Sequence, residues 1–215
     1  MRLYSAPISP FAARVRIAFH HKRVPCDIVA PPASGLKGPE YLALNPLGKV
    51  PVLVLDDGTC IPESETILEY LEEVHPQPSL MPGDPVRRAR MRTAIRVTDN
   101  YLTPPTTRLF AHLDPSTRDA AVAASELAHV STALGFLSHY VSDAPYIVDE
   151  RLTLADCCVF PSLFLAQVIA SQFGVTDVLS DFATLRGYVD KARLDPSIRA
   201  VHDEMLEALA AYQSK

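Results

Sequence analysis

No CxxC pair and no metal-ligand spacing occurs among the four cysteines, Cys26, Cys60, Cys157 and Cys158. Their placement disfavours dithiol redox chemistry and leaves no expected metal. Adjacent Cys157-Cys158 lie in an apolar helical stretch and read as core residues of a reduced, cytoplasmic protein. A basic excess is also missing. The formal charge is −5, which argues against general nucleic-acid binding. No long uncharged apolar run suggests a membrane span. The opening residues are interrupted by polar side chains and lack the apolar block of a signal peptide. Internal repeats and low-complexity segments are absent.

What is present suffices for a large core. The chain has 215 residues, 48% of them apolar, enough for one large domain or two small ones. Residues 1–77 mix short strands and helices. Strands are expected at 2–5, 24–29, 50–55 and 59–61, the last two joined by the turn Asp56-Asp57-Gly58. Helices are expected at 12–21, 38–44 and 63–74, the last from the spacing of Ile67, Leu68, Leu71 and Val74. The order is βαβ, then ββα. Residues 78–85 belong to a proline-rich stretch that cannot continue a helix and read as a linker. Residues 86–215 are helical in pattern, with helices expected at 86–112, 116–141, 154–171, 182–192 and 196–213. Pro104-Pro105 should kink or interrupt the first.

Three short motifs carry chemistry. Ser9, followed by Pro10 and Phe11, stands where the first helix begins, and Ser-then-Pro is a helix start signal. A capping serine explains it. So does a hydroxyl beside unpaired N–H groups at the positive end of a helix, a place that favours an anion such as a thiolate. Next comes Asn45-Pro46-Leu47-Gly48-Lys49-Val50-Pro51. A cis Val50–Pro51 bond would turn the chain sharply and leave the Val50 N–H and C=O open to an extended peptide, whereas a trans bond gives an ordinary turn. Glu63-Ser64 then opens a helix after the hairpin. Ser64 reads as a cap or as the holder of a ligand carboxylate, with Glu63 facing an ammonium group.

Together these motifs resemble the glutathione transferase superfamily, and the resemblance covers essentially the whole chain. The fold it implies is an α/β N-terminal thioredoxin-like domain plus an all-α C-terminal domain. Leu152-Thr153-Leu154-Ala155-Asp156 is similar to the family's Ser/Thr-x-x-Asp box, a folding element. Ser9-Pro10-Phe11 followed by Arg14-Val15-Arg16-Ile17-Ala18 resembles the serine-type tau class. The motif also resembles the zeta class, which carries Ser-Ser-Cys where this chain has Ser9-Pro10-Phe11, so the missing cysteine disfavours maleylacetoacetate isomerase, and thiol-type omega chemistry as well. Tyr4 on the first strand is the alternative hydroxyl donor.

The resemblance implies a role for each motif residue, with glutathione as co-substrate and no metal. Ser9 would donate a hydrogen bond to the glutathione sulfur, with Phe11 beside it. Lys37 and Lys49 would meet the glycine carboxylate, although each also reads as a solvated surface charge. Val50 would pair with the cysteinyl backbone, with Pro51 setting the geometry. Glu63 and Ser64 would hold the γ-glutamyl end. A hydrophobic electrophile would lie between Pro7, Phe11, Tyr101, Arg108 and Phe110, assigned by position. The five arginines Arg87, Arg88, Arg90, Arg92 and Arg96 read as a solvated or subunit-facing helix side, or as an attractor of anionic substrates. The expectation is a homodimeric detoxifying transferase. Aryl-ether cleavage, double-bond isomerisation and a non-catalytic binding module are the alternatives.

Overall fold

One sheet is built of four three-residue strands, the two inner ones centred on the fully buried Leu3 and Leu53. They are β1 (Arg2–Tyr4), β2 (Asp27–Val29), β3 (Val52–Val54) and β4 (Cys60–Pro62). The computed structural model describes residues 1–142 and 144–214. The sheet order is β2-β1-β3-β4. β1 runs parallel to β2, while β3 is antiparallel to both β1 and β4. The expected hairpin forms: Gly58 takes φ +87°, and Asp57 Oδ1 accepts from the Thr59 N–H at 2.9 Å. Glycine enters that left-handed region without steric cost.

Helices α1 (Pro10–Lys22), α2 (Pro39–Leu42) and α3 (Ser64–Val74) complete the βαβ–ββα order. Leu3, Leu53, Ile67, Leu68 and Leu71 are fully buried among them, each contributing about 1.5–3 kcal/mol by leaving water. A second network ties down the segment after α3. Lys22 Nζ meets Glu72 Oε2 at 2.7 Å and donates to the carbonyls of His75 and Pro78. Glu72 in turn accepts from the Leu80 N–H. The Gln77–Pro78 bond in this segment is cis, a feature no sequence signal announced.

The chain divides into two compact units, Met1–Leu80 with Pro196–Lys215, and Met81–Asp195. This departs from the expected 1–77, 78–85 and 86–215 partition. The last helix, α9 (Pro196–Gln213), packs on α1 and so joins the first unit. The reason is that α1 is buried on nearly every side, more than α3 alone covers. Helix α9 brings a matching buried stripe of Ile198, Val201 and Met205, at the i, i+3, i+7 spacing of one helix face.

In the second unit the expected helix over 86–112 is four consecutive pieces. These are α4 (Pro85–Val97), a π-turn at Thr98–Leu102, α5 (Thr103–Arg108) and a 3-10 turn at Leu109–His112. Pro104 and Pro105 lack N–H groups and crowd the preceding turn, and the backbone widens just before them. Helices α6 (Ala120–Ser138), α7 (Leu154–Ser171) and α8 (Ala183–Ala192) follow. Helix α6 begins at Asp119, whose carboxylate accepts from the N–H groups of Ala121 and Val122.

Helix α7 is the core of its unit, buried almost throughout. Its start is held by Asp156, which accepts from the Thr153 N–H and hydroxyl at 2.7 Å each and from the Ile147 N–H at 2.9 Å. Burial pushes this carboxyl up to about 6, while those donors pull the other way. By length and composition α6 and α7, with mean hydropathy 1.3 and 1.7, are apolar enough to cross a bilayer. Neither is an uncharged run, since α6 carries Glu126 and α7 carries Asp156. A buried core helix such as α7 meets the same criterion as a membrane span.

Candidate functional site

The sheet register brings the three motifs to one place. Tyr4 lies opposite Val52, and Val52 opposite Pro62. The chain leaves β1 toward Ser9, enters β3 from Val50-Pro51 and leaves β4 into Glu63-Ser64, all at the same end of the sheet. Neighbouring strands stand about 4.8 Å apart, so the three exits span about 10 Å. Because β2 is parallel to β1, its exit toward Lys37 lies at that end too.

Ser9 caps α1. Its Oγ accepts from the Ala12 N–H at 3.3 Å, and its own N–H donates to the Ala6 carbonyl at 3.0 Å. Capping uses the oxygen as an acceptor and leaves the hydroxyl proton free to be donated. The two readings of Ser9 are therefore compatible. Phe11 is half-buried, with the Arg14 guanidinium 4.7 Å from its ring centre.

The Val50–Pro51 bond is cis. Among the described residues, none of the hydrogen bonds uses the Val50 N–H or C=O. The peptide before it is held from below. The Lys49 carbonyl accepts from the Tyr41 hydroxyl at 2.8 Å and from Asn45 Nδ2 at 2.7 Å. Burial raises the Tyr41 phenol to about 12, so it remains a donor at neutral pH. Gly48 adopts φ +59°, and a Cβ there would come 2.8 Å from the Leu36 carbonyl. The Lys37 ammonium donates to the Leu47 carbonyl at 3.2 Å and is thus partly committed to this loop. The Lys49 side chain is exposed.

At the start of α3, Glu63 takes φ +67°, ψ +120° and supplies no side-chain cap. A non-glycine residue there costs about 1–3 kcal/mol, and such strain clusters at ligand sites. Ser64 is 5% exposed. Its hydroxyl has no hydrogen-bond partner among the described residues. Glu63 itself is exposed. An uncapped helix start with a free hydroxyl suits a carboxylate.

Sequence reasoning passes over Arg16, which it treats as part of a class-marking run. Arg16 is 4% exposed. It donates from Nη1 to Ser5 Oγ at 3.2 Å and from Nη2 to the Pro7 carbonyl at 2.7 Å. Its Nε lies 3.3 Å from Glu204 Oε2. The signal available was Arg16 set between Val15 and Ile17, inside the apolar stretch that runs on to Phe19. Pro7 and Arg16 also border a groove of about 750 Å³ whose walls include Phe19, Val24, Ile28 and Glu204. It lies behind the β1–α1 loop.

The remaining candidates lie in the second unit. Tyr101 and Arg108 share a hollow of about 280 Å³ with Pro104, His129 and Phe136. Tyr101 meets Phe136 edge-on at 5.7 Å. The Arg108 guanidinium is paired with both Glu126 oxygens at 2.7 Å, and that bonding holds the Glu126 carboxyl below its ordinary range. Phe110 does not line the hollow and is exposed. Of the arginine run, Arg87 pairs with Asp149 and Arg88 donates to the carbonyls of Pro82 and Gly83. Among the described residues no cluster suits a metal ion.

Comparison with known proteins matches two family models. Residues 3–79 match the glutathione S-transferase N-terminal domain, and residues 98–193 the C-terminal domain. The chain is 31% identical to maleylacetoacetate isomerase of Pseudomonas aeruginosa, over 94% of this chain and 95% of that protein. Among solved structures, a glutathione S-transferase of Rhodospirillum rubrum is 30% identical with TM-score 0.77, covering 93% of this chain and 90% of that one. A Methylobacterium radiotolerans glutathione S-transferase, solved with glutathione sulfonate, is 28% identical with TM-score 0.77, covering 93% of each chain.

Proposed function

The chain belongs to the glutathione S-transferase family, and from that premise we propose that it binds glutathione across the sheet end described above and activates its thiol with Ser9. One observation carries this reading. Three sets of unspent groups converge there: the Ser9 hydroxyl proton, the Val50 backbone pair and the uncapped α3 start at Ser64. Each suits a different part of the tripeptide. Ser9 meets the sulfur, with Phe11 flanking it. Val50 pairs with the cysteinyl backbone in the manner of an added strand, with Pro51 turning the chain. Ser64 holds the γ-glutamyl carboxylate and Glu63 its ammonium group. Lys49, and Lys37 where it can leave Leu47, face the glycine carboxylate.

The energetics suffice. A thiol of pKa about 8.5 is only a few per cent ionised at neutral pH, and lowering that pKa by two units requires about 2.7 kcal/mol of selective thiolate stabilisation. A hydrogen bond from Ser9 to the charged sulfur supplies about 1.5–3 kcal/mol, and the α1 N-terminus about 0.3–1 kcal/mol. No general base is needed. The thiolate then attacks an electrophilic carbon, and the leaving group departs or the adduct is protonated.

The hollow at Tyr101 and Arg108 is the proposed seat of part of the electrophile. Its aromatic edges favour a flat apolar molecule. A second reading, reversible thiolate addition to a conjugated double bond and hence isomerisation, draws support from the likeness to maleylacetoacetate isomerase. A homodimer is supported by exposed charges of opposite sign that a second copy can pair: Glu69 and Glu73 on α3, and Arg90 and Arg92 on α4. The free thiols fit a reducing cytoplasm, and the role proposed there is detoxification.

The test is a screen of aryl halides, enals, epoxides, aryl ethers and conjugated cis-alkenes with glutathione, run beside Ser9→Ala. Turnover of one class that depends on Ser9 supports the assignment. Calorimetry without saturable glutathione binding overturns it.

A further inference from the structure

We propose that Arg16 is a positioning residue for the sulfur site and that Glu204 of the terminal helix sets it. The inference rests on the reading of Ser9 as the thiolate donor. Ser9 Oγ has one N–H to hold it, at 3.3 Å, so its aim depends on the loop that carries it. That loop, residues 5–9, is fixed at few points. The Ser5 N–H reaches the Val29 carbonyl and the Ser9 N–H the Ala6 carbonyl. Ser5 Oγ and the Pro7 carbonyl are both held by Arg16.

Arg16 can do this because it follows Ser9 by seven residues, two turns along the same helix face. Side chains on a helix lean toward its N-terminus, so a long one on that face reaches back over the loop. A guanidinium serves where an ammonium does not. Its planar fork offers Nη1 and Nη2 to two separate acceptors, while Nε makes no hydrogen bond and lies within ion-pair distance of a carboxylate.

The carboxylate comes from α9. Glu204 Oε2 lies 3.3 Å from Arg16 Nε, and Glu204 Oε1 lies 3.7 Å from His20 Nε2. These partners hold the Glu204 carboxyl below its ordinary range. A buried guanidinium without a counter-charge is costly, and Glu204 provides the charge that lets Arg16 stay inside. The C-terminal helix thus acts on the sulfur site through one side chain, about two hundred residues away in sequence.

A proportionate loss of transition-state alignment is expected, since small misplacements of a reacting group cost up to about a hundredfold in rate. The experiment compares wild type with Arg16→Met, Arg16→Lys, Glu204→Gln and Ser5→Ala. It reads the thiolate absorbance of bound glutathione against pH, kcat and KM separately, and thermal melts. Arg16→Met should raise the bound thiol pKa by about half a unit to one unit and lower kcat about three- to tenfold, with KM for glutathione within about threefold. Arg16→Lys should not rescue, because charge without the fork leaves the loop unheld. Glu204→Gln and Ser5→Ala should move the same readouts in the same direction by less, and Ser5→Ala answers the question if Arg16→Met does not fold. A folded Arg16→Met or Ser5→Ala with wild-type thiol pKa and kcat overturns the inference, as does full rescue by Arg16→Lys. If wild type itself binds no glutathione, the functional reading fails and this inference with it. Normal binding with unaffected variants overturns this inference alone.

Discussion

The Tyr41 hydroxyl donates to the Lys49 carbonyl at 2.8 Å. Asn45 Nδ2 donates to the same oxygen at 2.7 Å. Two donors on one carbonyl leave the following peptide little freedom, so Val50 is presented with its own backbone groups unspent. Tyr41 is fully buried and Asn45 is 1% exposed, so the hold comes from the core of the unit rather than from its surface. A preorganised strand edge of this kind lowers the ordering cost of binding a short peptide.

Removing the Ser9 hydroxyl separates capping from catalysis. Ser9→Ala should raise the bound thiol pKa by about one to two units. It should cut turnover at neutral pH about tenfold or more, with a smaller change in glutathione affinity, because the bond is worth most to ionised sulfur. Loss of the Ala12 cap should also cost about 1 kcal/mol of stability. Thiolate titration, kinetics and circular dichroism melts together check this. A folded variant with unchanged pKa and rate would leave Ser9 as a cap and turn attention to Tyr4.

Ser64 should act on binding instead. Ser64→Ala should weaken glutathione affinity by about 1–3 kcal/mol, with little effect on the thiol pKa of the bound tripeptide. Calorimetry measures the first and absorbance titration the second. Equal effects on both would contradict the division of labour between Ser9 and Ser64.

Asp156 gives a pH signature to folding. Its carboxyl is raised in the folded chain, to about 6 from 3.8. The folded state therefore prefers the protonated form. This contribution to stability is full below the unfolded value near 4 and is lost as pH rises through about 6. Denaturant unfolding at pH 4, 5, 6 and 7 should show Asp156→Asn lacking that component. At every pH Asp156→Ala should be less stable by several kcal/mol, since it orphans the buried Thr153 and Ile147 N–H groups. A wild-type profile parallel to that of Asp156→Asn would refute the linkage.

Lys22 and Glu72 should prove costly to separate. Lys22→Met leaves Glu72 without its cation and two carbonyls without a donor, for a loss of about 3–5 kcal/mol. Lys22→Met with Glu72→Leu should recover part of it. Urea unfolding of the four variants closes the cycle, and additivity would show that the pair does not couple.

Local punctuation made much of the molecule legible. Ser9-Pro10 announces the start of α1, Asp57-Gly58 a hairpin and Thr153-x-x-Asp156 the start of α7, because caps and turns are chosen by groups only two or three residues apart. Prolines had the same reach: Pro104-Pro105 marked the place where the long helix widens into a π-turn. The candidate motifs were legible for that reason too, since each sits at an element boundary.

Other features were not. The pairing of Arg16 with Glu204, the clamp of Tyr41 and Asn45 on Lys49 and the Lys22–Glu72 network depend on which elements pack together. The same holds for the commitment of Arg108 to Glu126 and for the position of α9 in the first unit. Amphipathic spacing tells a helix that it must bury a face but not against what, and a buried charge finds its partner only once that is decided. The sequence by itself determined the elements, their order and the three motifs, through contacts short in sequence. Tertiary structure alone decided that those motifs share one end of a sheet and that a helix from the far end of the chain steadies the first, because strand register and long-range packing are set by the whole buried surface at once.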